Sequence, residues 1–351
     1  MIRAGGGLLA GLLLLILLLA LLVEDPVGAL RALADGAVGD RAALVNTALK
    51  TTPLLLTGLA VAISFRCGVW NIGAEGQFLA GALAAAAVAT RLPGTGGGRW
   101  LLPLALVAAA ASGALLAGIA AWLRASRGVS EVISTLMLNF VALHLVAFAV
   151  QGPLQEVART YPQSDPVPAA ARLPALGRLH LGVGLAVLLA PLLQVLIARS
   201  VAGFRMRAVG ASPEVARYSG LSPERYGALA LLLAGSLAGL AGAFELTGVT
   251  FRLYERISPG YGFTAIAVAL LARLEPLAVV PAAAFFGALE AGAGSMQRTA
   301  GVPSVVTQVV QGTVILLSVG LALGRGAVRP RAAAGEEAGV ASRASRGGRG
   351  A

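Results

Sequence analysis

The sequence predicts an all-α, polytopic membrane protein of about ten transmembrane helices, and three observations predict it. Hydrophobic residues make up 57% of 351 positions and charged residues only 12%, with a mean hydropathy of +0.83. That balance excludes an ordinary soluble domain. The apolar residues come in long runs rather than at the spacing of a half-buried helix. Finally, Asn71, Glu75 and Gln77 lie inside such an apolar stretch, between Phe65 and Ala85. Unpaired polar groups at membrane depth cost at least a few kcal/mol, so the cluster points to a pathway before it points to a core.

Judged against the ~20 residues that cross a ~30 Å hydrocarbon layer, the apolar runs place spans near 5–23, 48–66, 73–91, 100–123, 129–150, 179–198, 227–250, 260–274, 276–295 and 303–324. The first, with Arg3 before it, reads as an uncleaved anchor rather than a signal peptide, because its run from Leu8 to Val23 exceeds a usual signal core. The eighth is short and ends at Pro276, which disfavours helix at the residue before it. Together, 1–325 read as one membrane domain and 326–351 as a disordered cytoplasmic tail.

Of 27 basic residues, all but Lys50 are arginine. With the N-terminus inside, sixteen lie on the inner side and eleven on the outer, so both termini are placed in the cytoplasm. The outer loops then include 24–47, with Glu24, Asp25, Asp35 and Asp40, and 151–178, whose five prolines read as an ordered surface loop or short lid. The Gly/Ala/Arg-rich tail has no aromatic residues between its charges, so it reads as a neighbour of anionic lipid headgroups and not as a nucleic-acid arm. A single cysteine, Cys67, excludes an internal disulfide and any cysteine-based zinc site. His144 and His180 lie far apart in the chain.

One inner loop, 199–226, is long and orderly. Ser212 is placed to cap a helix starting at Pro213, with Glu214 in its first turn, Ala216 and Arg217 within it and Gly220 as its left-handed stop. Ser222, Pro223 and Glu224 repeat the start signal. A two-turn helix is unstable alone in water, so it needs a surface to pack on.

The polar membrane residues fall on faces. On a helix from Ser130, Glu131, Ser134, Thr135 and Asn139 share one side, opposite Val132, Ile133, Leu136 and Phe140. Hydrogen bonding between helices suits Ser134 and Thr135 better than a pathway role, and Glu131 also fits a helix N-terminus. Asn139 fits pathway wall and packing equally. Around Asn71 the glycines at 68, 73 and 76 allow a broken helix. For Glu75 a gating role is favoured over a structural hydrogen bond. Glu245, Glu290, Gln308 and Gln311 are weaker counterparts, with Glu245 a candidate partner of Arg252; Gly7/Gly11 and Gly235/Gly239 read as close helix packing.

The stretches Gly68-Val69-Trp70-Asn71-Ile72-Gly73-Ala74-Glu75-Gly76-Gln77, 128–139 (from Gly128-Val129-Ser130-Glu131 to Asn139), Arg207-Ala208-Val209-Gly210-Ala211-Ser212-Pro213-Glu214 and 260–271 (from Gly260-Tyr261-Gly262-Phe263 to Leu271) resemble permease subunits of ABC importers. The group they resemble is the nucleoside and simple-sugar branch, related to ribose and branched-chain amino-acid permeases, over roughly 45–320. The resemblance implies a type II importer-like fold, two permease subunits around the pathway, cytoplasmic ATPases using ATP and Mg, and an extracytoplasmic solute-binding protein. This chain carries no P-loop, and Lys50 sits in Ala48-Leu49-Lys50-Thr51-Thr52, so the energy source is another chain and no cofactor is expected here.

The expectation is therefore a bacterial plasma-membrane permease moving a small polar solute, with a nucleoside favoured over a pentose or amino acid. The pathway residues are Asn71, Glu75, Gln77, Glu131, Thr135 and Asn139; the coupling residues are Gly210, Ser212, Pro213, Glu214, Ala216, Arg217 and Gly220. The rival is an ion- or proton-coupled secondary transporter using Glu75, Glu131 or Glu290.

Overall fold

The computed structural model describes residues 25–92 and 100–302, with a few isolated positions outside them. The segments 5–23 and 303–324, the tail, Gly7/Gly11, Gln308 and Gln311 fall outside the residues described. The architecture is helical: α1 (Pro26–Ala34), α2 (Arg41–Arg66), α3 (Ala74–Arg91), α4 (Leu101–Arg127), α5 (Glu131–Gln151), α6 (Leu181–Arg199), α7 (Val201–Ala211), α8 (Pro213–Tyr218), α9 (Pro223–Glu245), α10 (Tyr261–Leu271) and α11 (Pro276–Thr299). A two-stranded antiparallel hairpin, β1 (Ala175–Leu176) and β2 (Leu179–His180), precedes α6.

Six of the described helices are long and apolar enough to cross a membrane: α2, α4, α5, α6, α9 with its extension to Thr250, and α11. The helices α3 and α10 match two further expected segments but are shorter or less apolar. The segment 24–47, expected as an outer loop, differs. Asp25 accepts the Gly28 N–H at 2.9 Å and so caps α1, whose first residue is Pro26, and Asp40 accepts the Ala43 N–H at 2.6 Å and starts α2 at Arg41. Each aspartate satisfies an otherwise orphaned helix N–H, which is why these charges initiate helices here.

The core is continuous and alanine-rich. The helix α4 lies against α9 and α3, while α11 and α10 lie against α2. A Cβ at Gly239 would overlap the Ala109 carbonyl oxygen and one at Gly235 that of Gly113, so small residues set how closely α9 and α4 approach. In lipid this dispersion packing, rather than the hydrophobic effect, holds helices together. At one end of the bundle Arg66 donates to Glu275 at 2.6 Å and to the Leu274 carbonyl at 3.2 Å, tying the end of α2 to the turn between α10 and α11. Arg124 and Glu131 pair at 2.9 Å between α4 and α5.

At the opposite end the 151–178 segment is ordered. Arg252 donates to Glu156 at 2.8 Å and to the Ser164 carbonyl at 3.2 Å, and the Leu253 N–H donates to the Ser164 hydroxyl at 3.0 Å. Arg252 thus pairs with Glu156, not with Glu245. The loop after α9 folds back beneath 156–164 and brings that glutamate closer than the one on its own helix.

Candidate functional site

The chain breaks where its glycines allow. After α2 ends at Arg66, residues 67–73 run as non-helical backbone before α3 begins at Ala74. Non-helical backbone at this depth must find internal partners, and the polar cluster supplies them. Asn71 and Gln77 exchange a reciprocal amide pair, both bonds at 3.0 Å, and Asn71 also accepts the Gly73 N–H at 3.0 Å. The Ile72 N–H donates to the Thr135 hydroxyl at 3.3 Å, while Asn139 accepts the Gly76 N–H at 2.8 Å and donates to the Ile72 carbonyl at 2.9 Å. Asn71, Gln77, Thr135 and Asn139 are all buried.

Glu75 serves a second break. Its carboxylate accepts the Gly262 N–H at 2.7 Å, at the start of α10, where the first N–H groups of a helix lack partners. The N-termini of α3 and α10 therefore meet inside the bundle, joined by one carboxylate. Phe78 and Tyr261 pack beside it, ring centroids 5.8 Å apart. With helix beginning only at Ala74, Asn71 and Glu75 do not share a helical face, and Gln77 is the residue that reaches Asn71.

On α5 the expected faces are present. Ser134, Thr135 and Asn139 point into the protein, whereas Ile133, Met137 and Phe140 are exposed. The Ser134 and Thr135 hydroxyls donate to carbonyls one turn back, Ser130 at 2.7 Å and Glu131 at 2.6 Å, and Thr135 alone of the two also bonds outside the helix, accepting the Ile72 N–H. Glu131 sits at the helix start, paired to Arg124 rather than to the network. The aromatic residues Phe140 and Phe148 are on the exposed side, while Trp70 stacks near Phe65 at 4.6 Å.

The 199–226 segment forms as its capping signals specify. Ser212 accepts the Val215 N–H at 3.4 Å, Pro213 is the first residue of α8, Gly220 has φ 78°, and Ser222 accepts the Arg225 N–H at 3.3 Å. Arg217 and Glu224 pair at 2.5 Å, holding α8 against the start of α9. Gly210 presses on the Arg66 carbonyl so closely that a Cβ would overlap it, and Gly68 lies directly opposite. Ala216 is buried within the chain itself, whereas Val215 and Tyr218 are exposed, the tyrosine by 94%. The outward surface of α8 is thus formed by Val215 and Tyr218, which capping signals do not single out; the signal available was an apolar pair at i and i+3.

Burial also gathers residues that the sequence leaves scattered. Lys50 on α2 donates to the Tyr261 hydroxyl at 3.1 Å.

Residues 43–319 match the family described as branched-chain amino acid transport system, permease component. A glucose ABC transporter permease from Haloferax volcanii is 36% identical over 89% of this chain and 85% of its own length. A guanosine ABC transporter permease from Bacillus subtilis is 38% identical over 81% of this chain and 83% of its own length. A nucleoside ABC transporter permease from Lactococcus lactis is 30% identical over 83% of each.

Proposed function

Because this chain belongs to the branched-chain amino acid transport system permease-component family, as a permease subunit of an ABC importer, we propose that it carries a nucleoside inward across a prokaryotic plasma membrane by alternating access. The guanosine and nucleoside permeases among its relatives support that solute. The proposed topology has about ten spans, counting the apolar runs at 5–23 and 303–324 of the sequence, and places both termini in the cytoplasm. The Arg66 and Glu275 end of the bundle faces the cytoplasm.

The observation that carries the coupling mechanism is α8. It is capped at both ends and anchored through Gly210 to the end of α2, and it presents Val215 and Tyr218 to solvent. A cytoplasmic ATPase, which binds ATP and Mg, docks on that surface. Its closure moves α7 and α8, and Gly210 transmits the movement to Arg66 and the broken segment 67–73. Asn71, Gln77, Thr135 and Asn139 form the wall of the pathway on this side, and Glu75 holds the two helix N-termini that border it. A second permease subunit completes the pathway and a solute-binding protein delivers cargo at the opposite end.

Uptake into vesicles containing the assembled complex tests this. Radiolabelled guanosine should accumulate only with ATP inside reach of the ATPase and with loaded binding protein outside, and dissipating the proton gradient should leave it unchanged. Accumulation driven by the proton gradient alone would favour the secondary-transporter reading instead.

A further inference from the structure

Resting on that import function, the outer loop goes further. We infer that residues 157–162, the tip of the 151–178 segment, are a docking site for an acidic patch on the extracytoplasmic solute-binding protein, with Arg159 between Val157 and Tyr161 as the contact surface.

The tip is held rigid from within. Glu156 is buried, and its carboxylate accepts the Tyr161 N–H at 3.0 Å, the Gln163 side-chain amide at 2.8 Å and Arg252 at 2.8 Å. The Glu156 N–H donates to the Gln163 carbonyl at 2.8 Å, and the Glu156 carbonyl accepts the Arg159 N–H at 2.9 Å. Asp165 accepts the Val157 N–H at 3.1 Å. None of these bonds uses the side chain of Val157, Arg159 or Tyr161. A turn fixed by its own backbone in this way loses little further freedom when a partner binds.

Those three side chains face outward instead. Val157 is 88% exposed and Tyr161 62%, and Arg159 lies between them at φ 50°, in the left-handed region that non-glycine residues seldom occupy. Such strain persists only where the surrounding structure over-determines it, and it collects at clamps and contact sites. Tyrosine and arginine are also enriched among the residues that dominate protein interfaces.

Charge selects the partner. Segments 151–180 and 251–260 hold five arginines against three acids. The acids are engaged in internal bonds, Glu156 and Asp165 with the tip's own N–H groups and Glu255 with the Gln151 side chain. Arg252 is committed to Glu156 and Arg172 to the Val167 carbonyl. Arg159, Arg178 and Arg256 are exposed and, among the described residues, pair with no carboxylate. The surface on offer is therefore positive and matches carboxylates on a partner.

Position favours the binding protein over lipid. Gln163 pairs antiparallel with Tyr254, the Ser164 N–H donates to the Leu253 carbonyl at 2.8 Å, and the Val167 N–H donates to the Phe251 carbonyl at 2.8 Å. The segment thus lies on 251–254, which leads to the buried start of α10 at Tyr261 and Gly262, where Glu75 is bonded. The tip stands over the bundle interior, and force applied to it reaches the junction of the two broken helices.

The test uses the complex of this chain with its ATPase in lipid discs, and the solute-binding protein, empty or guanosine-loaded, as the probe. Arg159→Gly removes the guanidinium and relieves the left-handed backbone. It should melt no lower than wild type and retain the ATPase in wild-type amount, yet hold the binding protein at least tenfold more weakly. Arg159→Glu should weaken binding further, and added salt should narrow the gap between wild type and Arg159→Gly. In a Cys67→Ala background, Tyr161→Cys should react with a membrane-impermeant thiol reagent, and the binding protein should protect it. Should Arg159→Gly melt lower, Arg159→Glu decides. Binding within twofold of wild type for the Arg159 variants, or no protection of Tyr161→Cys, overturns the docking site and leaves the import reading intact. A Tyr161→Cys that does not react gives the tip to the bilayer and overturns the site as well. If the unaltered complex holds neither form of the binding protein, the import reading fails and the docking site falls with it.

Discussion

At the scale of single residues, the polar groups in this bundle divide by whether the backbone already occupies them. Asn139 bridges the first turn of α3 and the non-helical segment before it, so Asn139→Leu would strand the Gly76 N–H and the Ile72 carbonyl in a water-poor interior. Each orphaned buried group costs about 1–3 kcal/mol. The purified protein should therefore lose stability by an amount in that range or above it, read as a lower melting temperature in detergent; an unchanged melt would mean the break is held by other contacts. Glu156 gives a pH test outside the membrane. The Gln163 side-chain amide first, then the Tyr161 N–H and the Arg252 guanidinium, hold its carboxyl below the usual carboxylate range. A lowered folded value means the clamp stabilises the protein at neutral pH and loses that contribution as pH falls from the ordinary glutamate range through the lower folded value. Wild type should lose more thermal stability than Glu156→Gln on acidification across that window, and parallel curves would show that the clamp contributes nothing measurable.

Among elements, those that local chemistry defines were the legible ones. Ser212, Pro213, Gly220 and Ser222 each satisfy or redirect backbone groups within four residues of themselves, so α8 and the start of α9 could be placed from the chain alone. The break near Asn71 was legible from its glycines, because only a backbone that leaves the helix needs so many polar neighbours at that depth. What pairs with what was not legible. The Asn71–Gln77 amide pair, the Glu75 bond to Gly262 and the Lys50 bond to Tyr261 join positions whose approach depends on how whole helices pack. Charge proximity in sequence misled for Arg252, and α1 and the true start of α2 were hidden because Asp25 and Asp40 read as loop charges. The same packing gives an element-scale prediction. Gly210→Val would drive a side chain into the Arg66 carbonyl, displacing α7 from the end of α2. The ATPase should still co-purify, since Val215 and Tyr218 remain exposed, but hydrolysis should no longer respond to loaded binding protein; a normal response would remove Gly210 from the coupling route.

For the whole molecule, the fold is two interrupted helices held inside a scaffold of continuous ones. The N-termini of α3 and α10 meet at Glu75, and the two connections of α10 lead to opposite ends: its C-terminus runs to the Arg66–Glu275 tie, and the loop from α9 that precedes it carries the Glu156 clamp. Such a layout lets a push at one end change the opening at the other without unfolding either set of helices. The central claim is that this push enters through the exposed face of α8. It is tested most directly in sealed vesicles, with guanosine-loaded binding protein outside and ATP hydrolysis measured on the ATPase side. The account predicts that loaded binding protein stimulates hydrolysis several-fold in wild type and that Tyr218→Asp, which places a charge on the docking surface, abolishes the stimulation together with uptake. Equal stimulation and uptake in wild type and Tyr218→Asp would contradict it.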